Sequence, residues 1–530
     1  MNIEQSRCVF ADRATLKVLG VYDILDLATP DSELARDMWR SPRCFLPGDE
    51  PEYLSLSKAQ SHFEQWWEEH VTQDDKQQTR KFLAQMPLDL HRVLTKLSGV
   101  DVLVESEFFV LKRFLYHAQE LYSLADGGLA LDRDDLEGDR AKISDLLQHI
   151  HPEANPSPRF FLSAELDDEL AATRHELTLC KRDFMARRKE LVTLKKGDYP
   201  GARFDLDGDV LLSGELATKA VGDPDLEPFK GMWRLTDTEL SEKRAQVNEL
   251  SEHCEHLEAV IRRRLSLLLA KDVAWLTELS ADITRFDVRL TRARLRERLD
   301  GSWPTLNTTG SLDIQGGHRP GSHGDAYQAV DFEVGVKPVI VTGPNMGGKS
   351  SLLKLVGLCQ WCMQHGLPVP AKVYSAPFLN HIIYVGSDEV HGDAIEGLSS
   401  FGREIRRLVM SREHTSPTVL WLLDEVGRGT HPQDGALLAS EVVDTLHARG
   451  DRIVFATHFP MLAMREDASR WRIAGLKDKD ALVALASSVV DLDTLERGLK
   501  QAMDYRPVRC VDEDDVVPHD AHLIARLLGW

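Results

Sequence analysis

A glycine-rich segment with a single lysine carries the clearest chemistry in this chain of 530 residues. It reads TGPNMGGKSS over residues 342–351 and contains the pattern G-x-x-x-x-G-K-S. In such a loop, backbone N–H groups, the lysine ammonium and the serine hydroxyl surround nucleotide phosphates and their Mg²⁺. The sequence therefore predicts a nucleotide-binding loop formed by Gly343, Pro344, Asn345, Met346, Gly347, Gly348, Lys349, Ser350 and Ser351.

Two later segments supply the acid–base groups that such a loop needs. Asp424 and Glu425 follow the apolar run 418–423, and His458 follows the run 452–457. Asp424 is suited to hold Mg²⁺, while Glu425 can polarise the water that attacks a γ-phosphate and His458 can sense or orient that phosphate. We therefore predict Glu425, His458 and Lys349 as catalytic residues, and Ser350 with Asp424 as metal ligands.

A parallel sheet is required to position these groups. The β-branched run 338–342 leads directly into the glycine loop, and a helical pattern follows the loop, which is the context that this motif needs. The runs 418–423 and 452–457 are typical of buried parallel strands. Because functional groups gather at the carboxyl ends of parallel strands, we expect the three segments to meet at one sheet edge.

Together these segments resemble the ATPase domain of the MutS DNA mismatch-repair family. The resemblance lies in TGPNMGGKS at 342–350, DEVGRGT at 424–430 and ATHF at 456–459, and it is dense from about residue 316 to the carboxyl terminus. It implies a dimeric ATPase that uses ATP and Mg²⁺ and binds DNA. It also implies that Ser399, in GLSSF, reaches the ATP of the partner subunit, and that Tyr327 lies near the adenine.

The sequence also departs from the family pattern. The tripeptide HPQ at 431–433 replaces the usual S-T-Y, at a loop that crosses the dimer interface in the family. The chain is expected to begin at the family's core domain, without the domains that read mismatches, and to lack a nuclease-like tail. We therefore expect any DNA preference to follow the shape of the DNA, with little preference for a single mismatch.

Composition agrees with a large intracellular protein. With 42% apolar and 28% charged residues, the chain can form two to four domains. It contains no run of about 18 apolar residues, so we expect a cytoplasmic protein without a membrane partner. Seven cysteines in a chain of this length indicate reduced thiols. Cys359 and Cys362 lie in the apolar helical pattern after the loop and are expected to be core residues, not zinc ligands.

The region before the glycine loop is rich in helical periodicity. Patterns of apolar residues at three- and four-residue spacing are interrupted by a Gly/Pro/Asp-rich stretch at 197–231. The predicted fold class is mixed: an all-α core and lever with a clamp insert, followed by an α/β P-loop ATPase domain of the ABC type. We expect a helical core over 1–160, a clamp arm and tip over 161–255, a helical return over 256–310 and the ATPase domain over 311–530.

Charge leaves two functions open. A net charge of −21 argues against DNA binding, yet residues 181–203 contain eight basic and three acidic residues. The predicted DNA-contact residues are Arg187, Arg188, Lys189, Lys195 and Lys196.

In the first function, ATP gates a dimeric clamp on duplex, mismatched or branched DNA in repair or recombination, with a second copy or a paralogue as partner subunit. In the second, the same dimer is a scaffold that recruits proteins. A general ABC-type ATPase is disfavoured because no L-S-G-G-Q signature precedes Asp424.

Overall fold

The computed structural model describes residues 10–124, 135–152, 159–204, 209–320, 328–344, 347–386, 400–477 and 502–511. The chain divides into two compact units. Unit 1 comprises residues 1–31, 35–71 and 285–530, and unit 2 comprises residues 32–34 and 72–284. The described residues combine helices with three β-sheets. The predicted mixture of helical and α/β structure is thus confirmed, while the predicted lever and clamp stay predictions.

The described residues form sixteen α-helices. They are α1 (Arg13–Leu19), α2 (Val21–Leu27), α3 (Glu33–Arg40), α4 (Glu50–His70), α5 (Gln73–Leu83), α6 (Leu90–Ser98), α7 (Glu105–Ser123), α8 (Leu136–Ile150), α9 (Asp168–Asp198), α10 (Glu215–Ala220), α11 (Thr238–Ala270), α12 (Val273–Leu299), α13 (Lys349–Gln364), α14 (Ser400–His414), α15 (Pro432–Ala448) and α16 (Pro460–Ala463). None of these helices is long and apolar enough to span a membrane.

The same part of the chain forms fourteen strands. They are β1 (Arg203–Phe204), β2 (Val210–Leu211), β3 (Leu226–Phe229), β4 (Met232–Leu235), β5 (Thr305–Leu306), β6 (Leu312–Gly317), β7 (Val330–Val334), β8 (Val339–Thr342), β9 (Val373–Ala376), β10 (His381–Gly386), β11 (Val419–Asp424), β12 (Arg452–Ala456), β13 (Ser469–Leu476) and β14 (Met503–Arg509).

A six-stranded sheet is the centre of unit 1, with the order β10-β11-β12-β8-β13-β14. Its strands are parallel except for the antiparallel pair β13–β14. The predicted strands around the glycine loop, Asp424 and His458 are thus β8, β11 and β12, which are neighbours in this sheet. A second sheet of unit 1 has the order β5-β9-β6-β7.

Strand β11 shows why this sheet is covered on both faces. All six of its residues are buried, as expected for a parallel strand between two helical layers. Leu420 and Leu422 belong to the same apolar cluster as Val356 of α13, while Trp421 joins a second cluster with Val443 of α15. Successive side chains on a strand point to opposite faces, so the continuous apolar run builds both cores at once. Cys359 and Cys362 of α13 are buried in the first core, as predicted.

The amino-terminal helices belong to unit 1. The expected domain bounds at 160 and 310 stay predictions, and the structure groups residues 1–31 and 35–71 in the same compact unit as residues 285–530. The physical reason is pairing at the open edge of β10, where Ile382 N–H donates to Phe10 O at 2.8 Å. Leu19 and Leu25 then enter the apolar cluster that contains α13.

Unit 2 contains two long helices and a compact insert, in agreement with the helical patterns of the sequence. Helices α9 and α11 have 31 and 33 residues, and between them the chain forms the sheet β1-β2-β4-β3. A small apolar core holds this tip together and includes Leu191, Tyr199, Val210 and Leu235.

Candidate nucleotide site

Two glycines shape the loop between β8 and α13. Gly343 has φ 150° and Gly348 has φ 94°, values that favour glycine. A Cβ atom on Gly343 would lie 2.9 Å from Ile473 Cβ, and one on Gly348 would lie 3.1 Å from Tyr505 Cδ1. The backbone of the loop can therefore adopt this conformation only because residues 343 and 348 have no side chain. Asn345 and Met346 lie outside the described residues.

Lys349 is the first residue of α13, and only 5% of it is exposed. Its Nζ donates to Gly343 O at 2.9 Å and to Pro344 O at 3.1 Å. Burial lowers the pKa of Lys349, although the carboxylates of Glu425 and Asp424 oppose this shift. The ammonium is thus held inside the loop, and Ser350 and Ser351 follow it in the first turn of the helix, where backbone N–H groups attract anions.

Asp424 is the last residue of β11 and is 7% exposed. The hydroxyl of Tyr384 in β10 donates a hydrogen bond to Asp424 Oδ2 at 2.7 Å. The other oxygen, Oδ1, is buried and has no hydrogen-bond partner among the described residues. Buried polar atoms are normally satisfied, so a carboxylate oxygen left in this state fits the ligand set of a hard cation such as Mg²⁺.

Glu425 has a strained backbone and a strongly polarised side chain. Its φ of 57° lies in the left-handed region, and its N–H donates to Ala456 O of β12 at 2.9 Å. Oε1 lies 2.7 Å from His458 Nε2 and 3.8 Å from Lys349 Nζ, while Arg428 contacts Oε2. The hydrogen bond from His458 is the largest cause that lowers the pKa of Glu425 to about 2. Glu425 is therefore ionised at neutral pH.

His458 Nε2 also lies 3.0 Å from Lys349 Nζ. One ring nitrogen cannot donate to Glu425 and accept from Lys349 at the same time. The carboxylate is the stronger acceptor, so we assign the Nε2 proton to the contact with Glu425. The structure thus brings Lys349, Glu425 and His458 into direct contact at the carboxyl end of the sheet, where the sequence placed them.

The loop after Glu425 is tied to α14. Gly427 N–H lies 3.4 Å from Glu404 Oε2, and burial raises the pKa of Glu404. Helix α14 begins at residue 400, directly after the segment with the predicted partner-contact residue Ser399. Ser399 and the predicted adenine neighbour Tyr327 lie outside the described residues. The sequence did not predict Tyr384 as a partner of Asp424, because a tyrosine within an apolar strand pattern indicates a core residue.

The predicted DNA-contact residues of unit 2 differ in their availability. Lys189 and Lys196 are exposed and Arg188 is half-buried. Arg187 Nε donates to Asp237 at 3.0 Å, and the guanidinium also pairs with Glu190 and Glu239.

Lys195 is the second residue of this set with internal partners. It is 6% exposed, and its Nζ lies 2.6 Å from Asp223 Oδ1 and 2.9 Å from Asp225 Oδ2. The local excess of basic residues therefore overstates the charge available to a phosphate backbone, because Arg187 and Lys195 already neutralise carboxylates. For Arg188, Lys189 and Lys196 the DNA contact stays a prediction.

A known protein family matches the segment that contains this site, and individual proteins are similar to part of the chain. Residues 339–490 match the family described as MutS domain V. The chain is 32% identical over 209 residues to endonuclease MutS2 of Listeria innocua, which is 38% of this chain and 26% of that protein.

Two further relatives give the same picture. The chain is 32% identical over 235 residues to putative endonuclease MutS2 of Bacillus subtilis, which is 43% of this chain and 28% of that protein. It is 33% identical over 206 residues to endonuclease MutS2 of Geobacillus thermodenitrificans, which is 38% of this chain and 26% of that protein. The match thus spans about a quarter of the length of these relatives. The segment that matches MutS domain V contains the glycine loop, Asp424, Glu425 and His458, so it is at the candidate site that the chain is similar to the MutS family.

Proposed function

We propose that this protein binds Mg-ATP at the loop between β8 and α13 and hydrolyses the bond between the β- and γ-phosphates. The observation that carries the proposal is the pair Asp424 and Glu425 at the end of β11. Asp424 has one buried oxygen without a hydrogen-bond partner among the described residues, and Glu425 is held ionised beside Lys349. These contacts support Asp424 as a metal ligand and Glu425 as a water-orienting carboxylate beside a phosphate-binding loop.

The chain's own residues divide the work of hydrolysis. Lys349 and the backbone N–H groups at the start of α13 bind the phosphates, and Ser350 with Asp424 would hold Mg²⁺, which neutralises phosphate charge. Glu425 accepts a hydrogen bond from the attacking water. Its pKa of about 2 makes it a weak base, so we assign it an orienting role instead of early proton abstraction. The loose transition state of phosphoryl transfer needs little base strength.

We further propose that ATP binding and hydrolysis gate a dimer that associates with DNA in repair or recombination. The names of the relatives describe endonucleases, whereas the segment that matches MutS domain V contains the nucleotide-site motifs. The proposal for this chain is therefore ATP hydrolysis with DNA association, and it includes mismatched or branched DNA as ligands. The second subunit is a copy of this chain or a paralogue.

A protein scaffold is the second candidate. The net charge of −21 and the internal ion pairs of Arg187 and Lys195 favour it, because both reduce the positive charge that DNA could use. In this alternative the same ATP switch would recruit protein partners without direct DNA recognition.

Two measurements test the proposal. The purified chain should hydrolyse ATP in a Mg²⁺-dependent way, and no hydrolysis above the level of a Lys349→Ala control would contradict the first part. Filter binding with homoduplex, mismatched duplex and four-way junction at two salt concentrations separates the candidates. DNA association predicts affinity that falls steeply with salt, whereas no binding to any of the three DNAs would favour the scaffold.

A further inference from the structure

Tyr384 links the edge of the central sheet to Asp424. It lies in β10, its side chain is fully buried, and its hydroxyl donates to Asp424 Oδ2 at 2.7 Å. Asp424 and Gly386, two residues after Tyr384, are register partners of β11 and β10. A Cβ atom on Gly386 would lie 3.0 Å from Asp424 Cβ and 3.2 Å from the Tyr384 hydroxyl. Glycine at 386 therefore leaves the space in which the phenol reaches the carboxylate.

The backbone of Tyr384 is fixed from outside the sheet. Its N–H donates to Thr15 Oγ1 of α1 at 3.1 Å, and its carbonyl accepts from Arg407 Nε of α14 at 3.1 Å. Thr15 is itself fully buried. The backbone N–H and carbonyl of Tyr384 are thus both hydrogen-bonded to side chains from two helices. Because its backbone is held in this way, the phenol has little freedom to move away from Asp424.

We infer that Tyr384 is a positioning residue for Asp424, which rests on the proposed Mg-ATP site. The phenol offers one proton, and it occupies Oδ2. This contact fixes the rotation of the carboxylate and leaves Oδ1 as the oxygen for the cation. Groups that hydrogen-bond to a metal-ligating carboxylate commonly change metal affinity by about tenfold or more when they are removed.

A purely structural role is the competing interpretation, because a buried tyrosine hydroxyl needs some partner. The two roles differ in what they alter. A structural tyrosine affects the free energy of unfolding, while a positioning residue affects the Mg²⁺ concentration needed for nucleotide binding. Tyr374 provides a matched control, since it is also fully buried and its hydroxyl donates to Gln360 Oε1 at 2.5 Å.

The experiment compares the wild type with Tyr384→Phe and Tyr374→Phe in the full chain. A fluorescent ATP analogue is titrated without Mg²⁺ and at increasing Mg²⁺. For Tyr384→Phe we expect the Mg²⁺ concentration at half-maximal binding to rise about tenfold, while affinity without Mg²⁺ stays within about twofold of the wild type. Mn²⁺ binds to such ligands more tightly than Mg²⁺, so replacing Mg²⁺ with Mn²⁺ should recover part of the lost nucleotide binding. Tyr374→Phe should leave the Mg²⁺ dependence unchanged.

An unchanged Mg²⁺ requirement in Tyr384→Phe, or an equal rise in Tyr374→Phe, would overturn the inference. Thermal unfolding reports whether each variant is folded. If Tyr384→Phe does not fold, Thr15→Val replaces it, because it removes the acceptor for the Tyr384 N–H and keeps the phenol; no change in its Mg²⁺ requirement would again overturn the inference. Absence of Mg²⁺-dependent nucleotide binding in the wild type would instead reject the proposed function.

Discussion

Glu425 Oε1 and His458 Nε2 lie 2.7 Å apart, and this contact joins the carboxyl ends of β11 and β12. The contact lowers the pKa of Glu425, a residue whose backbone is strained, with φ 57°. Strain of this kind persists where surrounding contacts hold it, and it gathers at functional sites. We therefore propose that His458 aligns the carboxylate of Glu425 in the resting protein, a role that is separate from any contact with a phosphate.

We predict that His458→Ala raises the pKa of Glu425 from about 2 toward its ordinary value of 4.5. A carboxyl whose pKa is lowered by folding contributes stability above its unfolded pKa, and this contribution is lost as pH falls through the folded pKa. The stability gap between wild type and variant should thus be full near neutral pH and shrink between about pH 4.5 and pH 2. Urea unfolding across this range measures it, and a gap that does not change with pH would refute the assigned contact.

We predict that Lys349→Ala weakens ATP binding by at least ~100-fold, or ~2.7 kcal/mol, since the main protein cation at the phosphates is removed. The change should cost little folding stability, because Lys349 is buried at the expense of its hydration. Lys372→Ala is the control, as Lys372 is exposed and pairs with Asp300 at 2.7 Å. Calorimetry that gives both variants the affinity of the wild type would reject the loop as the nucleotide site.

We predict that Gly348→Ala destabilises the protein by about 1–3 kcal/mol, because alanine at φ 94° is strained and its Cβ would press on Tyr505. Nucleotide affinity should fall as well, since the loop backbone must shift. Gly335→Ala is a matched change, with no atom within 4 Å of the added Cβ. Thermal unfolding should place this control within about 0.5 kcal/mol of the wild type. Equal effects of the two substitutions would show that the backbone of the loop is not constrained.

We predict that the double change Lys189→Glu and Lys196→Glu weakens DNA binding and reduces the salt slope by about one unit for each lysine that contacts a phosphate. Basal ATP hydrolysis should persist, because both residues lie in unit 2. Lys195→Met should behave differently: it leaves Asp223 and Asp225 without their ammonium partner and should destabilise the tip by about 3 kcal/mol. Filter binding in a salt series that shows no slope change for the lysine pair would move the DNA contacts elsewhere.

The meeting of the candidate site residues at one sheet edge could be predicted from the sequence because they follow three apolar strands, and the carboxyl ends of neighbouring parallel strands lie at the same edge of a sheet. The grouping of Lys349, Asp424 and Glu425 needed only motif spacing and strand patterns. Tyr384 could not be predicted in the same way, since its partner lies on a neighbouring strand and the register of the two strands is a tertiary property.

The amino-terminal helices and the basic helix show the same limit. The pattern of an amphipathic helix such as α1 indicates which face is apolar but not which core that face joins, so the sequence could not predict that residues 1–31 share a compact unit with residues 285–530. Counting charges along α9 likewise gave no information on Asp223 and Asp237, which neutralise Lys195 and Arg187 after folding.

The proposed mechanism requires that Glu425 orients water at an ATP site built around Lys349 and Asp424. The most direct measurement is Mg-ATP binding and hydrolysis by Glu425→Gln in the same preparation, with the wild type beside it. We expect the variant to bind Mg-ATP within a few-fold of the wild type and to hydrolyse it at least ~100-fold more slowly, since the amide cannot serve as the charged acceptor for the water. Hydrolysis at the wild-type rate by a variant that still binds ATP would contradict it.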